Sequence, residues 1–324
     1  MIDGLKDEVA DYASDGFLRQ LWRFSRPHTI IGTTLSLLFL WLMAKGLFPE
    51  NTVFGNAIDA LGIPKVVDWK VLLHTWVACI TANIYIVGLN QFTDVPLDKI
   101  NKPYLPLASG AWSMRMGTLV IWTCLLISLA FTVWVGSTFL WWTVGLSVAL
   151  GTAYSLPPLR LKRFPFWAAF CIIAVRSLIV NLLLFAHLAG WSSDVRDMQP
   201  YVWLLVVVMF AFSIAIAWFK DLPDLIGDEA NGINTLAIEL GSKKVLFYGS
   251  AVMIATLGAS IAAGWFFFDN GYLVTGQAIT LGLFLLLLLR VDLIDKVSIR
   301  RFYLGLWALF FLEYGVFAGV AWLW

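Results

Sequence analysis

The sequence predicts an all-α integral membrane protein: nine transmembrane helices, forming two four-helix halves plus a ninth helix around a central cavity. Three observations carry this. Of 324 residues, 60% are hydrophobic and only 13% charged, with a mean hydropathy of +0.82. Soluble domains carry about 25% charged residues, and a soluble core cannot hide so much apolar side chain, so the solvent is lipid. The apolar residues also come in long unbroken runs. A β-barrel would instead show weakly alternating segments of about ten residues. Finally, the basic residues sort to alternate sides of those runs.

A span needs about 20 apolar residues. In chain order the candidates are 29–47, 71–93, 114–135, 137–155, 165–190, 201–220, 244–267, 273–291 and 301–323. Breakers separate several of them, among them Gly136, Pro157-Pro158 and Asp269-Asn270-Gly271. Backbone groups in lipid need internal partners, so the runs are helices. With the N-terminus in the cytoplasm, 17 of the 22 Lys and Arg residues fall inside. Lys45, Lys65, Lys70 and Arg196 fall outside, and Arg176 lies within a span. This asymmetry supports nine spans, with the N-terminus inside and the C-terminus on the opposite side.

Residues 1–20 form a polar segment ahead of a single polytopic domain covering 1–324. The segment is acidic (Asp3, Asp7, Glu8, Asp11, Asp15) and lacks the basic and apolar regions of a secretory signal. It is also too acidic for a transit peptide. The net charge of +1 gives no field for nucleic acid. Cys79, Cys124 and Cys171 lie inside apolar runs without metal-binding spacing and read as small buried hydrophobes. No obligate protein partner is evident; the bilayer is the partner the composition demands.

Two acidic motifs follow the second and sixth spans. The first runs Asn90-Gln-Phe-Thr-Asp94-Val-Pro-Leu-Asp98, with polar positions at i, i+4 and i+8. The second runs Asp221-Leu-Pro-Asp224-Leu-Ile-Gly-Asp228, at i, i+3 and i+7. On a helix each forms one stripe, and both fall at cytoplasmic helix ends. Stacked like charges want a cation, and hard oxygens without Cys or His argue for Mg²⁺, which keeps coordination positions for phosphate oxygens. Two facing stripes would clamp a diphosphate between metals. Alternatively, each stripe is a solvated, helix-capping face. Asp94 and Asp224 are 130 residues apart, as are Asp98 and Asp228. Four spans separate the copies, so the repeat is parallel. Basic residues surround the motifs: Lys102 and Arg115 after the first, Lys220 beside the second, and Arg160, Lys162 and Arg163 between spans four and five. The positive-inside rule accounts for most of them. Lys102 and Lys220, flanking carboxylates, are the stronger candidates for phosphate contact.

These residues resemble the two signature motifs of the UbiA-type intramembrane prenyltransferases. FSRPHTIIGTTLS (Phe24–Ser36), NKPYLPLASG (Asn101–Gly110), GTAYSLPPLRLKRF (Gly151–Phe164) and FKDLPDLIGD (Phe219–Asp228) are similar to the homogentisate prenyltransferases, the phytyltransferase branch of tocopherol synthesis in particular. The likeness runs from about residue 22 to about 242, with a weaker echo at FFLEY (Phe310–Tyr314). It implies a nine-span helical fold and Mg²⁺ dependence. It also implies transfer of an isoprenoid from its diphosphate to a ring carbon of homogentisate, with the acceptor's carboxyl group lost as CO₂. By position, Asn90, Asp94 and Asp98 would bind one Mg²⁺-diphosphate edge. Asp224 and Asp228 keep the spacing of the second family motif. Asp221 matches an additional acid of the plant and cyanobacterial branch. Tyr154 and Ser155 match a polar pair near the reaction centre. The chemistry agrees: metal ions draw charge from the leaving diphosphate. Aromatic faces in a dry cavity then shield the allylic cation, with Phe92 and Trp218 beside the motifs.

Two intramembrane residues stand out. Arg176 lies mid-span, where a charge is costly and usually functional. It would hold the acceptor's carboxylate or the diphosphate, or else pair with Glu313 in the ninth span. Asn83 lies two turns, about 10 Å, deeper than Asn90 on the same face; it would hydrogen-bond the acceptor or glue helices together. Three rivals stand beside the main reading: a UbiA-type enzyme with another aromatic acceptor, a UbiA-type terpene cyclase, and a secondary transporter with paired carboxylates. NKPYLPLASG argues against the first. The transporter fits poorly, because the acids sit at helix ends rather than at the midplane.

Overall fold

A computed structural model describes residues 15–48, 66–191, 196, 198–220, 222 and 236–323. The described residues form helices and no strand. In order these are α1 (Phe17–Phe24), α2 (Pro27–Leu47), α3 (Trp69–Thr93), α4 (Val95–Asn101), α5 (Pro106–Ser109), α6 (Met114–Val135) and α7 (Thr138–Ser155). They continue with α8 (Pro165–Leu188), α9 (Pro200–Phe219), α10 (Leu236–Leu240), α11 (Ser242–Phe266), α12 (Gly271–Arg290) and α13 (Lys296–Leu323).

Eight of these helices are long and apolar enough to cross a bilayer: α2, α3, α6, α8, α9, α11, α12 and α13. Their limits follow the hydropathy runs to within a few residues. The remaining expected span, 137–155, is α7. At 18 residues it is shorter than the eight, and Trp141, Trp142, Thr143, Gly145 and Thr152 dilute its apolar character. Helix starts are set locally. Asp68, Ser113, Ser137 and Asn270 each accept a backbone N–H of the first turn at α3, α6, α7 and α12. Gly136, with φ at +70°, closes α6 in the left-handed conformation.

The chain divides into two compact units, and the division passes through α2. The first comprises residues up to Leu37 together with Asp68–Lys162. Here α6 lies along α3, and Ser128 Oγ donates to the Ala78 carbonyl at 2.8 Å. The core of this unit collects Phe24, Tyr85, Leu89, Leu107, Trp112 and Ile121, and Phe92 and Val95, on either side of Asp94 in the chain, pack against it. A side chain at Gly88 would meet the Phe24 ring at 2.6 Å. Gln91 Nε2 ties down the Phe24 carbonyl at 2.6 Å. The end of α1 is thereby anchored to the acidic end of α3.

The second unit comprises Leu38–Val67 and Arg163–Trp324. Its central helix is α9, buried along most of its length by α8, α11 and α13. Leu119, Trp122, Leu126 and Trp134 on α6 of the first unit, and Trp265, Phe266 and Leu289 on α11 and α12 of the second, stand exposed. Such faces suit lipid rather than water.

Candidate active site

The first acidic motif does not lie on one continuous helix. Pro96, near the start of α4, supplies no backbone N–H and breaks the ladder. Asp94 therefore sits at the junction, with φ at −111° and ψ at 13°. The turn spacing survives the break: Asp94 N–H donates to the Asn90 carbonyl at 3.1 Å, and Asp98 N–H to the Asp94 carbonyl at 2.7 Å. The three side chains thus stay one turn apart as the spacing implied, but across a kink.

Cations gather on this kink. Lys162 Nζ donates to Asp94 Oδ1 at 2.6 Å and to Thr93 Oγ1 at 2.8 Å. Arg160 Nη2 lies 3.5 Å from the same Asp94 oxygen. Arg160 holds a left-handed backbone, φ +37°, a strained conformation for a side chain of this size. Arg26 is strained as well, φ +52°. Its Nη2 donates to Asn90 Oδ1 at 3.3 Å, while its Nε is buried without a partner. Asp98 is buried, and its Oδ2 has no hydrogen-bond partner. Burial pushes the Asp98 carboxyl above the usual range, against the pull of Arg26 and Lys102. Burial also pulls the Lys162 ammonium down, against the hydrogen bond to Asp94.

The positions named from sequence separate as follows. Asn90, Asp94, Asp98, Arg160 and Lys162 come together, and Lys102 is close enough for its charge to act on Asp98. Arg115 stands exposed in the first turn of α6. Tyr154 and Ser155 end α7; Ser155 is fully buried, and its Oγ has no partner. Asn83 spends both amide hydrogens between helices, on the Thr29 carbonyl at 3.0 Å and Thr33 Oγ1 at 2.8 Å. Only its oxygen is left for an acceptor. Lys220 caps α9. Asp221, Asp224 and Asp228 lie outside the described residues. In the second unit, Arg176 and Glu313 form no ion pair. Arg176 lies over the Trp307 ring, 4.5 Å from its centroid, and Glu313 Oε2 accepts from Gln277 at 2.6 Å. Arg26 was missed. The string that carries it was noted, but an Arg before a Pro gave no sign that it would reach Asn90, 64 residues on.

No group of three acids or imidazoles stands together among the described residues. The donors that do meet are hard oxygens: Asn90 Oδ1, Asp94 Oδ1 and the unpartnered Asp98 Oδ2. They fit Mg²⁺ better than any thiophilic metal.

The sequence profile of the UbiA prenyltransferase family matches residues 52–313. The chain belongs to the UbiA prenyltransferase family. It is an integral membrane protein by the same membership and by its apolar helices. Homogentisate phytyltransferase of Synechocystis is 40% identical, over 94% of this chain and 96% of that enzyme. Homogentisate geranylgeranyltransferase of Hordeum vulgare is 33% identical, over 92% of this chain and 71% of that protein. Among solved structures, a UbiA homolog from Archaeoglobus fulgidus, bound to GPP and Mg²⁺, superposes with a TM-score of 0.57. It has 16% identity and covers 92% of this chain and 99% of its own. That likeness shows the fold.

Proposed function

We propose that this prenyltransferase moves a phytyl or geranylgeranyl group from its diphosphate to a ring carbon of homogentisate. The acceptor's carboxylate leaves as CO₂, and the product is a methyl-prenyl-quinol, a precursor of tocopherol or a related quinone. The observation that carries this reading is the 40% identity to the Synechocystis enzyme over nearly the full length of both chains. The same coverage supports reading the two units as one polytopic domain.

The chemistry divides among residues as follows. Asn90, Asp94 and Asp98, with Asp221, Asp224 and Asp228 of the second motif, would hold Mg²⁺. The metal, when bound, neutralises charge on the leaving diphosphate. Lys162 and Arg160, which lie on Asp94, would turn to phosphate oxygens if that carboxylate held a divalent cation. Lys102, Arg115 and Lys220 add positive charge along the same helix ends. The C–O bond to the diphosphate breaks, an allylic cation forms, and the acceptor ring carbon attacks it. The ring C–H proton is lost, and a proton is taken up where CO₂ leaves. Tyr154 and Ser155 face this step, with the Ser155 hydroxyl free to donate. Arg176 and the Asn83 oxygen contact substrate. The asymmetry of the basic residues supports an orientation with the acidic ends and the N-terminus toward the cytoplasm or stroma and the C-terminus on the opposite side.

Radiolabelled phytyl diphosphate and homogentisate, incubated with membranes containing the protein, should give a prenylated, decarboxylated quinol. Turnover of the diphosphate with no acceptor would mark a cyclase instead. Transfer only to a hydroxybenzoate or naphthoate would move the enzyme to another branch.

A further inference from the structure

We propose that Arg176 and the Trp307 ring form a seat for the carboxylate of the aromatic acceptor, and that this seat makes the enzyme select an aromatic acid over a neutral quinol. The proposal rests on the transfer reading above and commits Arg176 to the acceptor rather than the diphosphate.

Arg176 lies eleven residues into α8, roughly 16 Å from its start. A charge at that depth is costly unless something compensates it. Among the described residues its guanidinium has no hydrogen bond and no ion pair. Glu313, the acid that the sequence offered, is buried and held by Gln277. The compensation present is the Trp307 face, 4.5 Å away, which offsets part of the cost through the ring quadrupole. A guanidinium stacked on an aromatic face keeps its N–H donors for a ligand in its own plane. The side chain is half-buried, not sealed in. Trp307 is itself fixed by Phe311, stacked at 5.8 Å and 28°.

The backbone beneath is built to hold this arginine. Residues Ala174–Leu184 are wound as a π-helix, a form that is rare and frequent at functional sites. Asn181 Nδ2 donates to the Arg176 carbonyl at 2.9 Å and to the Ser177 carbonyl at 3.0 Å. Asn181 Oδ1 accepts from Tyr314 at 2.6 Å. The wide turn that presents Arg176 is thus pinned to the helix that carries Trp307. A feature pinned this way, with its charge left open, is a receptor for an anion.

The size of the anion follows from the donor count. One guanidinium matches one carboxylate in a two-point contact. A diphosphate carries more charge, and Arg26, Arg160 and Lys162 already gather at the acidic motif to meet it. An arylacetate fits better: its carboxylate takes the guanidinium, and its ring lies against Trp307 and the neighbouring Tyr303.

Melting of the purified protein in nanodiscs tests this, with homogentisate and its methyl ester as probes. The ester keeps the ring and loses the charge. Homogentisate should raise the wild-type melting temperature, and the ester should need far higher concentration. Arg176→Gln should weaken homogentisate binding roughly tenfold to a hundredfold, the usual value of a hydrogen bond to a charged group. Affinity for the prenyl diphosphate should be unchanged, and Arg176→Lys should recover part of the loss. Equal binding of acid and ester by the wild type, or undiminished binding by Arg176→Gln, would overturn the seat. If Arg176→Gln does not fold, the acid-against-ester comparison in the wild type decides alone. Arg176-dependent binding without any prenyl transfer would leave the seat standing and remove the transfer reading. Transfer with an unchanged KM for homogentisate in Arg176→Gln would do the reverse.

Discussion

At Asp94, two cations crowd one carboxylate oxygen; at Arg176, one cation has no carboxylate among the described residues. In the first unit, Lys162 and Arg160 lie 2.6 and 3.5 Å from Asp94 Oδ1, so the acid is compensated before any ligand arrives. Under the proposed function, ligand entry there would be an exchange: Asp94 would hold the metal, and Lys162 would turn from it to phosphate. In the second unit, among the described residues, the guanidinium rests on a ring face, and ligand entry would be an addition. An exchange site discriminates by the order in which groups arrive. An addition site discriminates by whether the ligand carries the missing charge. The proposed reaction, between a metal-bound diphosphate and an acidic acceptor, would use both kinds.

The sharpest way to break the exchange half is to remove its carboxylates. Asp94→Ala, and likewise Asp224→Ala, should lower turnover about a thousandfold or more, since leaving-group stabilisation of several kcal/mol is lost. Both proteins should still insert normally. Chelation with EDTA should silence the wild type, and added Mg²⁺ should restore it. Lys70→Ala, at the start of α3, is the control. Near-normal rates in the aspartate variants, measured per unit of inserted protein, would reduce the motifs to solvated faces.

Lys162 sharpens the same half. Lys162→Met removes the resident cation from Asp94 and the phosphate donor together. The apparent KM for the prenyl diphosphate should rise roughly tenfold to a hundredfold, while Mg²⁺ binding without diphosphate should tighten, because nothing competes for Asp94. A parallel loss of both affinities would mean that Lys162 only shapes the loop.

How much of this was legible in the sequence differs between the two regions. The spans were, because hydropathy is a local property; α3 and α8 begin within two residues of the predicted limits. The first motif was, because its spacing is local too. The partners were not. Lys162 reaches Asp94 across 68 positions, and nothing in GTAYSLPPLRLKRF distinguishes it from the other basic residues of its loop. Lys102 and Lys220 stood out because they flank the carboxylates in sequence. The kink at Asp94 was implicit in Pro96, but the i, i+4, i+8 spacing suggested an unbroken helix. Arg176 was visible as an anomaly, whereas its ring partner and π-helical turn depend on α13, over a hundred residues later.

Asn83 bears on the packing that supports the exchange site. Its two donated hydrogen bonds fasten α3 to α2, and α2 begins beside Arg26. Asn83→Leu should cost about 0.5–1.5 kcal/mol of stability, the range found for hydrogen bonds between membrane helices, read as a lower melting temperature. The KM for homogentisate should rise little, because only the amide oxygen was available to it. A large KM effect with unchanged melting would make Asn83 an acceptor ligand first.

The smallest expected effect is a coupling near zero, and it bears on the addition site. If Arg176 and Glu313 formed a buried ion pair, removing either partner alone would strand a charge at a cost of about 3–5 kcal/mol. The double variant would then recover much of that loss. The structure gives them separate partners: Trp307 for Arg176, Gln277 for Glu313. Glu313→Gln keeps an oxygen to accept from Gln277, so its own effect should be modest. In a double-mutant cycle of Arg176→Gln and Glu313→Gln, the melting effects should add to within about 0.5 kcal/mol, as for sites with no shared partner. The same cycle on kcat/KM for homogentisate should show the whole loss in Arg176→Gln. A stability coupling above about 2 kcal/mol would show that Arg176 already has its anion in Glu313, and an occupied cation cannot seat the acceptor.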